Sequence, residues 1–295
     1  MRPIPFMNAL ILGVLAALVS AVSWAASTIL IKVGMRDKSP VAVNIVRLYI
    51  VSIMFAAIFL VKGTFPQVAA LPPELLLVAF ISSLFGFVIG DYFYFHALNM
   101  MGVSRTVPIT STYPLWAILW AFLFLGRKIS PQIIVGAVLV VTAIIVVRKA
   151  EEKERVNPKG FIFAILAPIS WSLAILMMDW LTGYIDVLAL AGLRMMSAAL
   201  GISLLLPRYL PELRRITLRE VLILTGAAIS GLFIGQYLFV YSVNLVGSQI
   251  AAPVSAINPI IASALAIFLL KEPPNRRILE GLILAVVGVI LISTA

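Results

Sequence analysis

Of the 295 residues, 62% are hydrophobic and 12% charged, against roughly 45–50% and about 25% in ordinary soluble domains, so a water-soluble fold is excluded. The formal charge of +10 does not point to nucleic acid, because Lys and Arg fall in short gaps between apolar runs and build no basic face. Cysteine is absent, which removes disulfides and thiolate metal sites.

A bilayer core about 30 Å thick needs roughly 20 apolar residues per helical crossing. Taken in chain order, apolar runs bounded by charged or Pro/Gly-rich breaks predict ten such segments, near 9–31, 41–61, 75–98, 103–125, 132–147, 160–181, 187–206, 221–245, 249–270 and 278–294. The first is too long for the apolar part of a signal peptide and is followed by others, so it reads as a retained helix. The fifth is short, and a tight Asn99-Met100-Met101-Gly102 turn separates the third from the fourth; tilt and local bilayer thinning absorb both. The expected fold is an all-α integral membrane protein with the lipid bilayer as its solvent.

With Arg105, at the start of the fourth segment, counted with the loop before it, loops following odd-numbered segments carry sixteen Lys and Arg, the remaining loops and the N-terminus carry four, and Arg47 and Arg194 lie deeper inside segments. By the positive-inside rule the odd loops are cytoplasmic and both termini lie outside a cell membrane.

Sliding the chain against itself exposes a duplication. At an offset of 147, Ser23-Trp24 falls on Ser170-Trp171 and Arg47 on Arg194. At 145, Gly86, Gly90, Tyr92, Asn99, Gly102, Pro108, Pro114, Leu125 and Gly136 fall on Gly231, Gly235, Tyr237, Asn244, Gly247, Pro253, Pro259, Leu270 and Gly281. The units are 1–148 and 159–295, joined by a charged linker at 149–158. An odd helix count makes the second unit enter the membrane from the opposite face, so the ten transmembrane helices form two inverted five-helix repeats. Such repeats characterise secondary transporters, which bind substrate near the midplane at the repeat interface.

Several residues are candidates for that interface. Two prolines in the fourth and ninth segments loosen the helical ladder, and the freed carbonyls need partners; Thr110, Tyr113, Ser255 and Asn258 lie beside them. Trp24 and Trp171 sit mid-segment, away from the interfacial belts where Trp is enriched, and with Trp116 and Tyr237 they are expected to line a central cavity. Gly86-x-x-x-Gly90 and Gly231-x-x-x-Gly235 read as close-packing stripes. Arg47, Asp91, His96 and Arg194 are the ionisable residues picked out within segments, where charge is expensive and usually functional. Asp91 and His96 lie about 140° apart around one helix, and Arg47, at similar depth, is placed to pair with Asp91. In the second unit Gln236 replaces Asp91 and Tyr241 replaces His96, so polarity is kept while titratability is lost.

With these features the chain resembles the drug/metabolite transporter superfamily, in its ten-helix EamA branch. The resemblance rests on the paired Ser-Trp, the Arg early in segments two and seven, the stretch Gly90-Asp91-Tyr92-Phe93-Tyr94-Phe95-His96-Ala97-Leu98, the doubly prolinated segments, and the ending Leu269-Leu270-Lys271-Glu272. Arg127 departs from the Glu the family usually carries at the matching end of the fourth helix. The resemblance implies a secondary transporter, most readily an exporter of amino acids or similar small metabolites. Some members move sugars or nucleotide derivatives instead, and proton coupling is open. No enzyme constellation, nucleotide loop or cofactor motif stands out, so neither catalysis nor a cofactor is expected. A membrane-embedded enzyme on lipid-linked substrates and a channel are the competing classes. Whether the protein works as a monomer or homodimer is left open.

The loop charges make the topology testable. A reporter active only in the cytoplasm should be silent when fused after Ala295 and active when inserted near Glu152; the reverse pattern would invert the assigned orientation.

Overall fold

The computed structural model describes residues 6–34, 38–148, 157–270 and 276–295. Most of the linker at 149–158 lies outside the described residues, as do Arg36, Lys271 and Glu272. Among the described residues every regular element is helical. In the first half, α1 (Phe6–Gly34) and α2 (Pro40–Lys62) are followed by the short α3 (Thr64–Ala69). The third segment is α4 (Pro73–Ser83), a π-helical stretch (Leu84–Ile89) and α5 (Gly90–Met101). The fourth is α6 (Val103–Thr110) with α7 (Tyr113–Leu125), and the fifth is α8 (Pro131–Arg148).

The second half repeats this order. It begins with α9 (Pro158–Leu181) and α10 (Val187–Ile202), the latter continued through a 3₁₀ turn (Ser203–Leu205) into α11 (Leu206–Leu213). Then come α12 (Leu218–Ala227), a second π-helical stretch (Ala228–Gly235) and α13 (Gln236–Val246). α14 (Ser248–Ser255) with α15 (Asn258–Leu270), and finally α16 (Arg276–Ser293), complete it.

Among the described residues seven segments are long and apolar enough to cross a membrane, and three shorter apolar helices, Tyr113–Leu125, Pro131–Val146 and Leu279–Ser293, accompany them. The outer surface fits a lipid solvent: Leu60, Val61, Leu204, Phe268 and Leu279 each leave more than half of their surface uncovered. Side chains of that kind, exposed in such number, would aggregate in water.

Local chemistry explains where helices start and break. Ser39 and Asp186, related by the offset of 147, cap α2 and α10 by accepting from Ala42 N and from Leu188 N and Ala189 N; a side-chain oxygen there satisfies donors the helix cannot. The fourth segment breaks at Ser111-Thr112 and the ninth at Ala256-Ile257, each just before Pro114 or Pro259. A proline has no N–H and collides with the carbonyl four residues back, so the ladder stops and restarts. Thr110, Ser111 and Thr112 then bond back to the carbonyls of Thr106, Val107 and Ile109, and Ser255 to that of Ala252.

The halves are interleaved. α1 packs along α12, the second π stretch and α13, while α9 packs along α4, the first π stretch and α5; α2 meets α10, and α8 meets α16. Each unit therefore completes the other's core. The seams need glycine. A Cβ on Gly90 would stand 2.5 Å from Trp171 Cδ1, and one on Gly235 2.7 Å from Trp24 Cδ1. The expected packing role of these glycines is realised as a seat for the two tryptophans of the opposite unit.

Gly136 and Gly288 make the α8–α16 contact backbone against backbone: a Cβ on either would lie 2.6 or 2.7 Å from the other's carbonyl oxygen. A main-chain oxygen cannot step aside as a side chain can. Gly136→Ala and Gly288→Ala should each cost roughly 1–3 kcal/mol, the usual range for overpacking, read as lowered thermal stability in detergent. Unchanged stability in both would mean that the two helices do not meet this closely.

Candidate functional site

Between the halves lies a cavity of about 350 Å³. Both units supply its wall, in matched positions: Trp24 and Trp171, Arg47 and Arg194, Phe87 and Leu232, Asp91 and Gln236, Tyr94 and Phe239, Tyr113 and Asn258. Thr110, Ser111 and Asn44 add hydroxyl and amide groups. The aromatic pairs mirror each other: Trp24 sits 5.2 Å from Phe239, and Trp171 5.3 Å from Tyr94, between ring centroids.

The π stretches set the wall. A π turn leaves backbone carbonyls without their helical donors and is frequent at functional sites. Here side chains from other segments add donors to carbonyls in and beside these stretches. Ser170 Oγ donates to Phe85 O at 2.7 Å, Asn44 Nδ2 to Phe87 O at 3.1 Å, and Trp24 Nε1 to Gly231 O at 3.0 Å. Ser27 Oγ donates to Ala227 O and Ser82 Oγ to Ala174 O, a reciprocal pair across the units at 2.8 Å each.

The charged groups are held differently from the sequence expectation. Arg47 and Asp91 share the cavity wall but form no ion pair within 4 Å. Asp91 instead accepts from Asn44 Nδ2 at 3.0 Å and Trp171 Nε1 at 3.1 Å, two neutral donors that occupy both of its oxygens. Arg47 Nη2 reaches Ser27 Oγ at 3.3 Å, and its buried Nε has no partner. Arg194 is buried, donating from Nε to Ser82 Oγ at 3.1 Å and from Nη1 to Met178 Sδ at 2.9 Å, with its guanidinium 5.3 Å from the centre of the Phe87 ring.

Of the residues picked out from the sequence, Trp24, Arg47, Asp91, Thr110, Tyr113, Trp171, Arg194, Gln236 and Asn258 line this cavity. Ser255 is fully buried one layer behind, beside Tyr113. His96, Trp116, Tyr237 and Tyr241 are not among the lining residues. The His96 ring bonds to Tyr92 O at 2.9 Å and stacks near Tyr92 and Phe163, because five residues past Asp91 the helix has turned away. Trp116 stacks on Trp120, whose indole bonds to Ser172; the break before Tyr113 resets the phase of the helix that follows. Tyr237 and Tyr241 are displaced by the same helical geometry, one and five residues past Gln236. Several lining residues were missed, among them Tyr94, Phe239 and Asn44. Tyr94 and Phe239 lie one turn beyond Asp91 and Gln236 at the shared offset, and Asn44 lies one turn before Arg47; helical spacing from the polar residues would have found these three.

A second polar site closes one end of the bundle. Asp179, buried at the end of α9, accepts from Arg127 Nη2 at 2.8 Å and from the backbone N–H of Ser248, the first residue of α14, also at 2.8 Å. Asp179 lies inside the sixth segment and was passed over as an ionisable residue. The unusual Arg127 is thereby explained: it faces a carboxylate. At the repeat offsets the matching positions are Glu272 for Arg127 and Lys32 for Asp179, the same two charges exchanged. By connectivity the opposite end is joined by Ser39, bonded through its N–H and hydroxyl to the Glu212 carboxylate, and by Lys38 with Glu220 at 3.6 Å.

Comparison with known proteins adds three findings. The EamA-like transporter family matches residues 11–149 and again 158–294. An "Uncharacterized transporter" of Archaeoglobus fulgidus is 28% identical over 283 residues, spanning 95% of this chain and 98% of that protein. A solved structure described only as "Crystal structure of protein" superposes with a TM-score of 0.80 at 18% identity, over 95% of each chain, and bears on the fold alone.

The Asp179 corner can be tested by stability. Asp179→Ala removes two hydrogen bonds to a charged group, worth about 1.5–3 kcal/mol each. Arg127 is 41% exposed in its side chain, so water can replace it, and Arg127→Ala should cost clearly less. Thermal unfolding of both variants checks the order; equal losses would mean that the ion pair, rather than the carboxylate-to-amide bond, holds the corner.

Proposed function

We propose that this chain, which belongs to the EamA-like transporter family, exports an amino acid or similar small metabolite across the cell membrane as a secondary transporter, by alternating access. The observation that carries the reading is the cavity itself: both halves line it with matched residues, and it lies between paired π stretches and proline breaks. A cavity of about 350 Å³ stands at the small end of ligand sites, which favours a small metabolite over a nucleotide derivative. The reading includes ten crossings in two inverted units, with the three shorter helices spanning by local thinning.

Alternating access requires that the two ends of the bundle part in turn. Support for this comes from the closures, which are small polar links: Asp179 with Arg127 and Ser248 at one end, Glu212 and Glu220 with Ser39 and Lys38 at the other. These links are few and polar, whereas the α8–α16 seam is an apolar contact along both helices.

Proton coupling, in this reading, runs through Asp91, a half-buried carboxylate held by neutral donors and facing the space that a cargo would fill. In vesicles Asp91→Asn should leave exchange of cargo largely intact and abolish accumulation driven by an imposed pH gradient. His96→Gln, on a side chain packed away from the cavity, should behave as wild type. Accumulation by Asp91→Asn at the wild-type level would remove Asp91 from the coupling, and failure of every form to move any solute would overturn the transporter reading.

A further inference from the structure

We infer that the cavity selects a carboxylate cargo of net charge −1 with a flat apolar body, in preference to zwitterionic, neutral or cationic relatives. The inference rests on the transporter reading in taking the ligand to be cargo, and it narrows that cargo to anionic small metabolites, setting zwitterionic amino acids aside. Its basis is the charge on the wall. Arg47, Asp91 and Arg194 are the charged residues lining the cavity, two guanidiniums against one carboxylate. Among the described residues neither arginine has a carboxylate within 4 Å, and Asp91 is already engaged by Asn44 and Trp171. A buried charge without a counter-ion is costly, and more so inside a membrane. With Asp91 ionised, one further negative charge, brought by the ligand, balances the wall.

Geometry points the same way. A guanidinium offers five N–H donors in a flat fork that matches a carboxylate. Arg47 spends one on Ser27, leaves its buried Nε unpartnered, and has no other hydrogen-bond partner among the described residues. Two glycines keep room for these heads: a Cβ on Gly231 would come within 3.2 Å of Arg47 Nη2, and one on Gly86 within 3.5 Å of Arg194 Nη2. A phosphate monoester carries about −1.5 to −2 near neutrality, more than this wall calls for; a carboxylate carries one. A zwitterion adds no net charge and leaves the excess in place.

The rest of the wall selects the body. Trp24 and Trp171 have their indole N–H groups committed to Gly231 O and Asp91, so only their faces and edges remain for a ligand. With Tyr94, Tyr113 and Phe239 they present flat apolar surface, suited to an aromatic or similarly planar group.

The test uses purified wild-type protein with four probes of one shape: indole-3-acetate, indole-3-acetamide, tryptophan and tryptamine. Calorimetric titration and thermal shift should show the acetate binding at least about tenfold more tightly than each of the others, the size of one charge-assisted hydrogen bond. In Arg47→Gln that preference should collapse while the protein still folds. Because the probe series is read on the wild type, the result stands whether or not the more buried Arg194→Gln folds. Equal binding of acetate and amide, preference for tryptamine, or no binding of the acetate overturns the inference. Counterflow in vesicles separates it from the reading it rests on. Acetate that binds but is never carried would sink the transporter reading alone, whereas a carried neutral or cationic solute would sink the charge selection alone.

Discussion

The constraint on which the structure depends is that no backbone carbonyl or N–H may be left bare in hydrocarbon. A straight helix meets it unaided. Among the described residues the chain departs from regular α-helix at the two proline breaks, the two π stretches and the 3₁₀ turn at Ser203–Leu205, and at the breaks and π stretches side chains add donors to nearby carbonyls. At the proline breaks the hydroxyls are local, from Thr110, Ser111, Thr112 and Ser255. At the π stretches the donors come from another segment: Ser170, Asn44 and Trp24. The irregular backbone that opens the cavity is therefore the same backbone that ties the halves together.

That economy explains why the tryptophans and glycines come in pairs. Trp24 reaches the second π stretch because Gly235 has no side chain, and Trp171 reaches Asp91 because Gly90 has none. The partners diverge where the first unit has a carboxylate. Gly231 offers a main-chain oxygen to one indole, whereas Asp91 offers a side-chain oxygen to the other. Replacing Asp91 by Gln236 in the second unit left the packing of its neighbours matched while changing what the wall can bind.

Much of this was legible from the residues. The apolar runs, the duplication and the proline pairs located the segments, their register and the cavity, because hydrophobic length and proline chemistry are local properties. Trp24, Trp171, Arg47, Asp91 and Arg194 could be picked out because buried polar groups are rare in membrane helices. The angular placement of side chains was harder to read. His96, Trp116, Tyr237 and Tyr241 looked equivalent to their lining neighbours until helical phase, shifted by a break, turned them away. The π stretches left no compositional mark, since a π turn arises when tertiary donors compete for carbonyls. Arg127 looked like a departure from pattern until Asp179 stood opposite it; that pairing joins residues far apart in the chain, and only the exchanged signs of Lys32 and Glu272 hinted at it.

The mismatch between the two halves of the wall has a geometric corollary. A perfectly two-fold chamber would offer any guest two equivalent poses, head for tail. Here Asp91 corresponds to Gln236, Tyr113 to Asn258 and Asn44 to Ala191, so the two poses would meet different walls and the degeneracy is lifted. Duplication supplied a symmetric scaffold, and a handful of later substitutions turned it into a polarised one, in which the direction a molecule points is decided before anything moves.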